Sequence, residues 1–346
     1  MDIKDRISAF SLLGEVLDDF LAGNETNIYY GILKEASLRA KAVNPWFTDN
    51  FINLAMESVA ANLKSDLLKD FVKGYEFPTE SRKVAVITAG NLPLVGFQDF
   101  LSVLLSGHSF VGKLSSKDDV LLPAFIEILI KIEPGFTSFI RLEKELLRDF
   151  DAVIATGSNN SGRYFDYYFG KYPSIIRRNR NSVAVIHPED NHEVYSKIGK
   201  DIFYYFGLGC RSVSKLMVPK GFDFVKFLDA MESYKYVADN FKYFNNYEYN
   251  KSIFLINSIP HYDTGFLLLQ ENDSLASPIS VVHYEYYDDL DSVKRNLMLM
   301  NNQLQCVVSS KPVENAWVLP GETQFPKLND WADGVDVLDF LQKLSG

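Results

Sequence analysis

Three features of this 346-residue chain predict an α/β fold built on a mainly parallel sheet. Short apolar runs rich in β-branched residues alternate with longer stretches of helical periodicity, the signature of successive βαβ units. The runs carry little polar alternation, as expected of strands covered by helices on both faces. Hydrophobic residues make up 47% of the chain and charged residues 23%, so a large core can be filled.

The segment up to about Tyr75 reads as helices. Ile7, Phe10, Leu13, Val16 and Phe20 recur near a helical period, and so do Phe51, Leu54, Ala55, Val59 and Leu63. Asp49 or Asn50 is the expected cap of the second stretch. This region carries no chemical motif, and its expected role is to pack against the rest or to line a substrate channel. The pattern changes at Arg82. A strand is expected over Val84 to Ile87, then a loop from Ala89 to Leu94. A helix follows from about Gly96 to Ser106 and stops at Gly107. Ser109 to Leu114 reads as the next strand, Asp118 to Ile132 as a helix, and Asp151 to Ala155 as a third strand with Thr156-Gly157-Ser158 as its exit. A second α/β section begins near Ser182. It has an expected strand at Val183 to Ile186, a helix from Tyr195 to Phe206, a strand at Lys215 to Val218 and a helix from Phe222 to Ser233. Further strands are expected at Ile253 to Ile256, Ile279 to Tyr284 and Cys306 to Val308. The aromatic-rich stretch from Tyr234 to Tyr249 reads as a packed surface or lid.

Charge and cysteine usage narrow the function classes. A formal charge of -10 argues against a general nucleic-acid binder, which needs a basic face for phosphate. It leaves room for a local basic pocket, for which Arg177, Arg178 and Arg180 form one candidate cluster and Lys113 with Lys117 another. The two cysteines, Cys210 and Cys306, give neither a disulfide framework nor zinc-ligand spacing. A cytoplasmic, reducing location fits. The acidic N-terminus lacks the apolar core of a signal peptide, and no membrane span is expected from the apolar runs. The five histidines are scattered without metal-ligand spacing.

Three constellations carry possible chemistry. In Gly207-Leu208-Gly209-Cys210-Arg211-Ser212, a cysteine follows two glycines between a helix and a strand, where backbone approaches a ligand closely. A thiolate there can attack a carbonyl, with backbone N–H groups holding the oxyanion and Arg211 favouring the thiolate. The alternative is a buried structural cysteine, the reading given to Cys306 in its apolar strand. In Gly90-Asn91-Leu92-Pro93-Leu94, directly after a strand, Asn91 is either an amide donor or a turn residue. Gly157-Ser158-Asn159-Asn160-Ser161-Gly162-Arg163 is either a phosphate-receiving turn at a helix N-terminus or a plain capping turn.

In this order and spacing the three segments resemble the aldehyde dehydrogenase superfamily, and within it the LuxC-type acyl-CoA reductases. The likeness runs from about Arg82 to the C-terminus, where Gly321-Glu322-Thr323-Gln324-Phe325-Pro326 is similar to a segment of that family. It implies an aldehyde dehydrogenase-like fold in three parts. Residues 1–181 form a helical N-terminus and a cofactor lobe, 182–310 a catalytic lobe, and 311–346 a tail returning to the first lobe or to a partner subunit. The active site is then expected in a cleft, and the chain as a homo-oligomer. The resemblance implies Cys210 as nucleophile and Asn91 as oxyanion donor beside the Cys210 N–H. It implies Lys113 as the lysine on the adenosine ribose, and Gly157, Ser158 and Gly162 as the turn receiving the pyrophosphate.

Three departures shape the expected reaction. Where hydrolytic relatives carry a water-activating glutamate, this chain reads Arg177-Arg178-Asn179-Arg180-Asn181. A glutamate that holds the nicotinamide ribose would fall near Ser274, with Asp273 or Glu271 as substitutes. Three residues after Lys113, NAD-selective members often place a glutamate. Here Ser116 and then Lys117 occupy that place, which favours the 2′-phosphate of NADPH over NADH. The expected activity is reduction of an acyl thioester, carried by CoA or an acyl carrier protein, to an aldehyde through an acyl-cysteine. The alternatives are a hydrolytic aldehyde dehydrogenase, a catalytically impaired acyl- or nucleotide-binding protein, and a Cys/His hydrolase that needs no nicotinamide.

Overall fold

The opening helices form because apolar residues recur on one face of each, and in the first and third a polar side chain caps the first turn. The computed structural model describes residues 1–157, 159–311 and 317–344, the side chains of 159 and 160 excepted. Helix α1 (Ile3–Leu21) starts at Asp2, whose carboxylate accepts the Asp5 N–H while the Asp5 carboxylate accepts the Asp2 N–H. Helices α2 (Tyr30–Val43), α3 (Asp49–Asn62) and α4 (Ser65–Val72) follow. The cap of α3 is Thr48, whose hydroxyl accepts the Phe51 N–H. Asp49 and Asn50, the expected caps, already lie inside the helix. The residue that caps must hold an extended backbone, and Thr48 does, at φ -91° and ψ 162°.

Contacts divide the chain into two units, Met1–Asn179 with the chain from Lys327 onward, and Arg180–Pro326. After its four helices the first unit runs through β1 (Lys83–Ile87), α5 (Phe97–Leu105), β2 (Ser109–Lys113) and α6 (Leu121–Ile132). It continues with β3 (Ile140–Leu142), β4 (Ala152–Thr156), α7 (Asn159–Phe169) and β5 (Ser174–Arg177). The strands form a parallel sheet in the order β3-β2-β1-β4-β5. Val84, Ala85, Val86, Phe110 and the stretch from Ala152 to Ala155 are buried, as runs apolar on both faces require. In this sheet β3 and β5 are the strands that the sequence pattern does not announce, being short and only partly buried. Strand order reverses between β1 and β4, the place where parallel sheets open a crevice at their carboxyl ends.

The second unit comprises β6 (Asn181–Val185), α8 (His192–Phe203), β7 (Val213–Pro219), α9 (Phe224–Met231), α10 (Phe241–Ile256), β8 (Tyr262–Asp263) and β9 (Leu268–Glu271). β10 (Val281–Tyr287), α11 (Leu290–Leu299), β11 (Leu304–Ser309) and β12 (Trp317–Val318) complete it. Its sheet has the order β12-β11-β6-β7-β10-β9-β8, parallel except where β8 meets β9 at one edge. Val183, Val185, Met217, Leu297 and Val307 form part of one core cluster. Ile253 to Ile256, expected as a strand, is instead the last turn of α10. Asn240 caps that helix, and Tyr243, Tyr247, Asn250 and Phe254 form its buried stripe, while Leu255 and Ile256 are exposed. A short β-branched run cannot by itself be told from a helical turn. The final helix, α12 (Val337–Gln342), belongs to the first unit. There Tyr75 donates to the Asp336 carboxylate at 2.6 Å, Gln98 Nε2 donates to the Leu328 carbonyl at 2.7 Å, and His108 Nε2 lies 3.0 Å from the Leu341 carbonyl.

Candidate active site

Register brings Lys113, Ile87 and Ala155 side by side on β2, β1 and β4, so three adjacent strands of the first unit end together. The Lys113 ammonium donates to the carbonyl oxygens of Lys144 and Glu145. Ser116 and Lys117 follow as exposed residues. The loop that carries them is sewn to the loop after β1. The Ser115 N–H donates to Thr88 Oγ1 at 3.3 Å, and Asn44 Nδ2 donates to the carbonyl oxygens of Gly90 (3.2 Å) and Lys117 (3.3 Å). The approach is too close for any side chain at Gly90: a Cβ there would lie 2.7 Å from Ser115 Cβ and 3.0 Å from Lys117 Cβ. Asn91, next in line, is exposed.

Asp118 holds the far end of the same loop. Leu94 adopts a left-handed backbone, φ 60°, and donates its N–H to Asp118 Oδ2 at 2.9 Å. Asp118 is buried, and its other oxygen has no hydrogen-bond partner among the described residues. Burial pushes its carboxyl up to about 7, against the pull of the Leu94 N–H. α6 begins at Leu121, three residues after Asp118, where the sequence pattern places its start.

Gly157 follows the last residue of β4, ahead of α7. A Cβ on Gly157 would sit 2.8 Å from Ser161 Cβ, and one on the buried Gly162 would sit 3.1 Å from Arg178 Cγ. Ser158, the third expected residue of this turn, lies outside the described residues. Each of the three arginines of the candidate basic cluster has a partner of its own. Arg177 makes a two-pronged ion pair with Asp99, at 2.6 and 2.9 Å, with both side chains buried. Arg178 pairs with Asp166, and Arg180 donates to the carbonyl oxygens of Asn301 and Leu304. The Arg177 pair is buried and joins distant parts of the chain, whereas the Arg178 pair is exposed.

In the second unit, Cys210 is exposed while Cys306 is buried. The helix expected to reach Phe206 stops at Phe203. Tyr205 and Phe206 take left-handed backbone (φ 54° and 57°), followed by Gly207 at φ 73°. For non-glycine residues this conformation costs about 1–2 kcal/mol each, and burial of both aromatic rings holds it in place. The cysteine loop then closes on itself. The Ser212 N–H donates to the Gly209 carbonyl at 3.0 Å, and the Gly209 N–H donates to Ser212 Oγ at 3.3 Å. Ser182 Oγ donates to the Cys210 carbonyl at 2.9 Å and accepts the Cys306 N–H at 3.1 Å. Arg211, expected to act on the Cys210 thiol, directs Nη1 to Cys306 Sγ at 3.3 Å.

Two further segments of this unit are tied to β7 and α8. Asp201, wholly buried, accepts the N–H groups of Gly321 and Thr323 and the Thr323 hydroxyl. Burial pushes the Asp201 carboxyl up to about 6, against those hydrogen bonds. Gln324, held in this way, donates to Ser212 Oγ at 3.3 Å. In the segment near Ser274, three successive carbonyls are held by side chains. Lys215 donates to that of Asp273, His283 Nδ1 to that of Ser274, and Ser214 to that of Leu275. The side chains of Glu271, Asp273 and Ser274 are exposed.

Asn44, Asp118, Ser182 and Gln324 are therefore the residues on which both loops depend. Gln324 lies in a motif that the sequence singles out. Asn44 has only the Asn-Pro turn signal with Pro45, and nothing local marks Asp118 or Ser182. Among the described residues no cluster of His, Cys, Asp and Glu can hold a metal ion, and no helix is long and apolar enough to cross a membrane.

A family model described as acyl-CoA reductase (LuxC) matches residues 49–224, half of the chain. No curated protein matches significantly. Among solved structures, aldehyde dehydrogenase 21 from Physcomitrella patens, in complex with the reaction product succinate, is similar with a TM-score of 0.70 at 11% identity, over 99% of this chain and 84% of that one. An NAD+ complex of an aldehyde dehydrogenase from Bacillus cereus is similar with a TM-score of 0.62 at 14% identity, over 89% and 72%. A Mycobacterium tuberculosis aldehyde dehydrogenase complexed with NAD+ gives 0.62 at 13%, over 89% and 73%. At these identities the likeness establishes the fold. With an aldehyde dehydrogenase fold and a family match across both the Asn91 and the Cys210 loops, the chain belongs to the LuxC family of acyl-CoA reductases, oxidoreductases acting on acyl and aldehyde groups.

Proposed function

We propose that this protein reduces an acyl thioester to an aldehyde through an acyl-Cys210 intermediate, with NADPH as reductant. The observation that carries the reading is an exposed thiol on a loop whose backbone is held on both sides, in a chain of this family. The Cys210 thiolate attacks the thioester carbonyl, forming the new C–S bond. The C–S bond to CoA or to an acyl carrier protein breaks, and the carrier leaves as thiolate. The Cys210 N–H and the Asn91 amide stabilise the oxyanion, each donor worth about 3–4 kcal/mol in comparable enzymes. A nicotinamide nucleotide, when bound, supplies the hydride that turns the acyl-cysteine into aldehyde and returns Cys210 to thiolate.

The carboxyl edge of the first unit's sheet fits such a nucleotide. It lies at the point where strand order reverses and gathers Lys113, the Gly90 loop and the Gly157 turn on three adjacent strands. Lys113 would meet the ribose, Gly157 and Gly162 with α7 the pyrophosphate, and Ser116 with Lys117 a 2′-phosphate. The preference for NADPH rests on those last two residues, exposed and without a carboxylate. Hydrolysis of the acyl-enzyme is disfavoured because the stretch Arg177-Arg178-Asn179-Arg180-Asn181 holds no carboxylate where hydrolytic relatives carry a glutamate.

Intact-protein mass spectrometry tests the reading. The full chain is incubated with medium- and long-chain acyl-CoA, alongside Cys210→Ala, and then given NADPH or NADH. A Cys210-dependent acyl adduct discharged as aldehyde, faster with NADPH, is expected. No adduct at any chain length overturns the assignment, and an adduct cleared by water alone makes the protein a hydrolase.

A further inference from the structure

We infer that Ser182 and Ser212 are positioning residues that set the two peptide planes flanking Cys210, and so aim its backbone N–H at the reacting carbonyl. This rests on the acyl-transfer reading above. A trans peptide is planar, so a held carbonyl fixes the N–H at the other side of the same plane. The Gly209 carbonyl accepts the Ser212 N–H, which fixes the plane that contains the Cys210 N–H. The Cys210 carbonyl accepts from Ser182 Oγ, which fixes the next plane. Both backbone torsions of Cys210 are thereby determined, while its side chain stays exposed.

The two hydroxyls are themselves well anchored. Ser182 and Ser212 are both buried. Ser182 is the second residue of β6, where register shifts against both neighbouring strands, opposite β7 and opposite Leu304 to Cys306 of β11. Such irregularities re-aim a side chain out of the ladder. Here the re-aimed hydroxyl bridges the Cys306 N–H to the Cys210 carbonyl. Ser212 Oγ accepts from both the Gly209 N–H and Gln324 Nε2. Through Gln324 the loop is connected to the Gly321 to Thr323 turn held by Asp201. An oxyanion donor must be in place before charge develops, and its value depends on alignment.

The test compares two reactions of the same sulfur in the full-length protein. Acyl transfer from octanoyl-CoA develops an oxyanion, and alkylation by iodoacetamide does not. In Ser182→Ala the rate of acyl-Cys210 formation at saturating octanoyl-CoA should fall about tenfold or more, part of the loss seen when a whole donor is removed. Alkylation should change by less than about threefold, because it needs the thiolate alone. Ser182→Thr, which keeps the hydroxyl, should recover acyl transfer. If Ser182→Ala does not fold, Ser182→Cys, which fills the same space with a much weaker donor, carries the same expectation. Unchanged acyl transfer, or equal losses in both reactions, overturns the inference while leaving the acyl-transfer reading intact. A wild-type protein that alkylates but never acylates overturns that reading, and this inference with it.

Discussion

Gly90 and Asp118 govern one loop by opposite means, the first by what it lacks and the second by what it accepts. A methyl group at Gly90 would enter the space of Ser115 and Lys117. Gly90→Ala should therefore cost about 1–3 kcal/mol of stability, as overpacking does, and raise the KM for the nucleotide; thermal unfolding and steady-state kinetics check both. Asp118 is a buried acid with a carboxyl near 7, against an ordinary value of about 3.9. The native state prefers the protonated form, so its contribution is full below about pH 4 and is lost as pH rises through about 7. Asp118→Asn keeps an acceptor for the Leu94 N–H without the charge. Its stability relative to wild type should increase between pH 4 and pH 8 in urea titrations, and a flat difference would remove Asp118 from this role. Neither residue announces its part: Gly90 reads as one more turn glycine, and Asp118 as an ordinary helix start.

Elements were legible in proportion to their length and periodicity. β1, β2, β4, β6 and β7 follow from continuous apolar runs, and α1, α3 and α8 from helical spacing. The end of α8 was not legible, because Tyr205 and Phe206 turn left-handed to bury their rings and nothing in their residue types asks for it. The fate of Ile253 to Ile256 was decided by the Asn240 cap and by a buried stripe of α10 that starts at Tyr243 and reaches the run only at Phe254. Between elements, Arg177 on β5 and Asp99 on α5 form a tie that is buried at both ends. Removing one partner leaves an uncompensated buried charge, so Asp99→Leu alone should destabilise by about 3–5 kcal/mol. Adding Arg177→Met should recover most of that loss. A double-mutant cycle in denaturant measures the coupling, and additive losses would show that the tie contributes nothing beyond its parts.

On the scale of the whole chain, His108 links the first unit's sheet to its last helix. Its Nδ1 accepts the Arg82 N–H at 3.0 Å, and its Nε2 donates to the Leu341 carbonyl. Only a neutral ring can do both, and burial, the leading cause, lowers its pKa accordingly. The stability it contributes is full above about pH 6.5, the ordinary histidine value, and is lost as pH falls through the lowered one. The urea midpoint should therefore drop below about pH 6.5 in the wild type and drop less steeply in His108→Asn; identical slopes would rule out this contribution.

The alternation of elements, the covered parallel sheets and the order of the loops around Asn91, Gly157 and Cys210 are properties of the sequence alone, because periodicity and turn chemistry act over a few residues. Partnership is not such a property. Asn44 reaches Gly90 across 46 residues, Arg177 reaches Asp99 across 78, and the Cys306 N–H reaches Ser182 across 124. Which polar groups meet depends on which strands the crossovers make neighbours. Buried polar groups must find partners wherever that topology puts them, so the tertiary structure alone decided that Arg177 serves the fold and that a serine holds the cysteine's backbone.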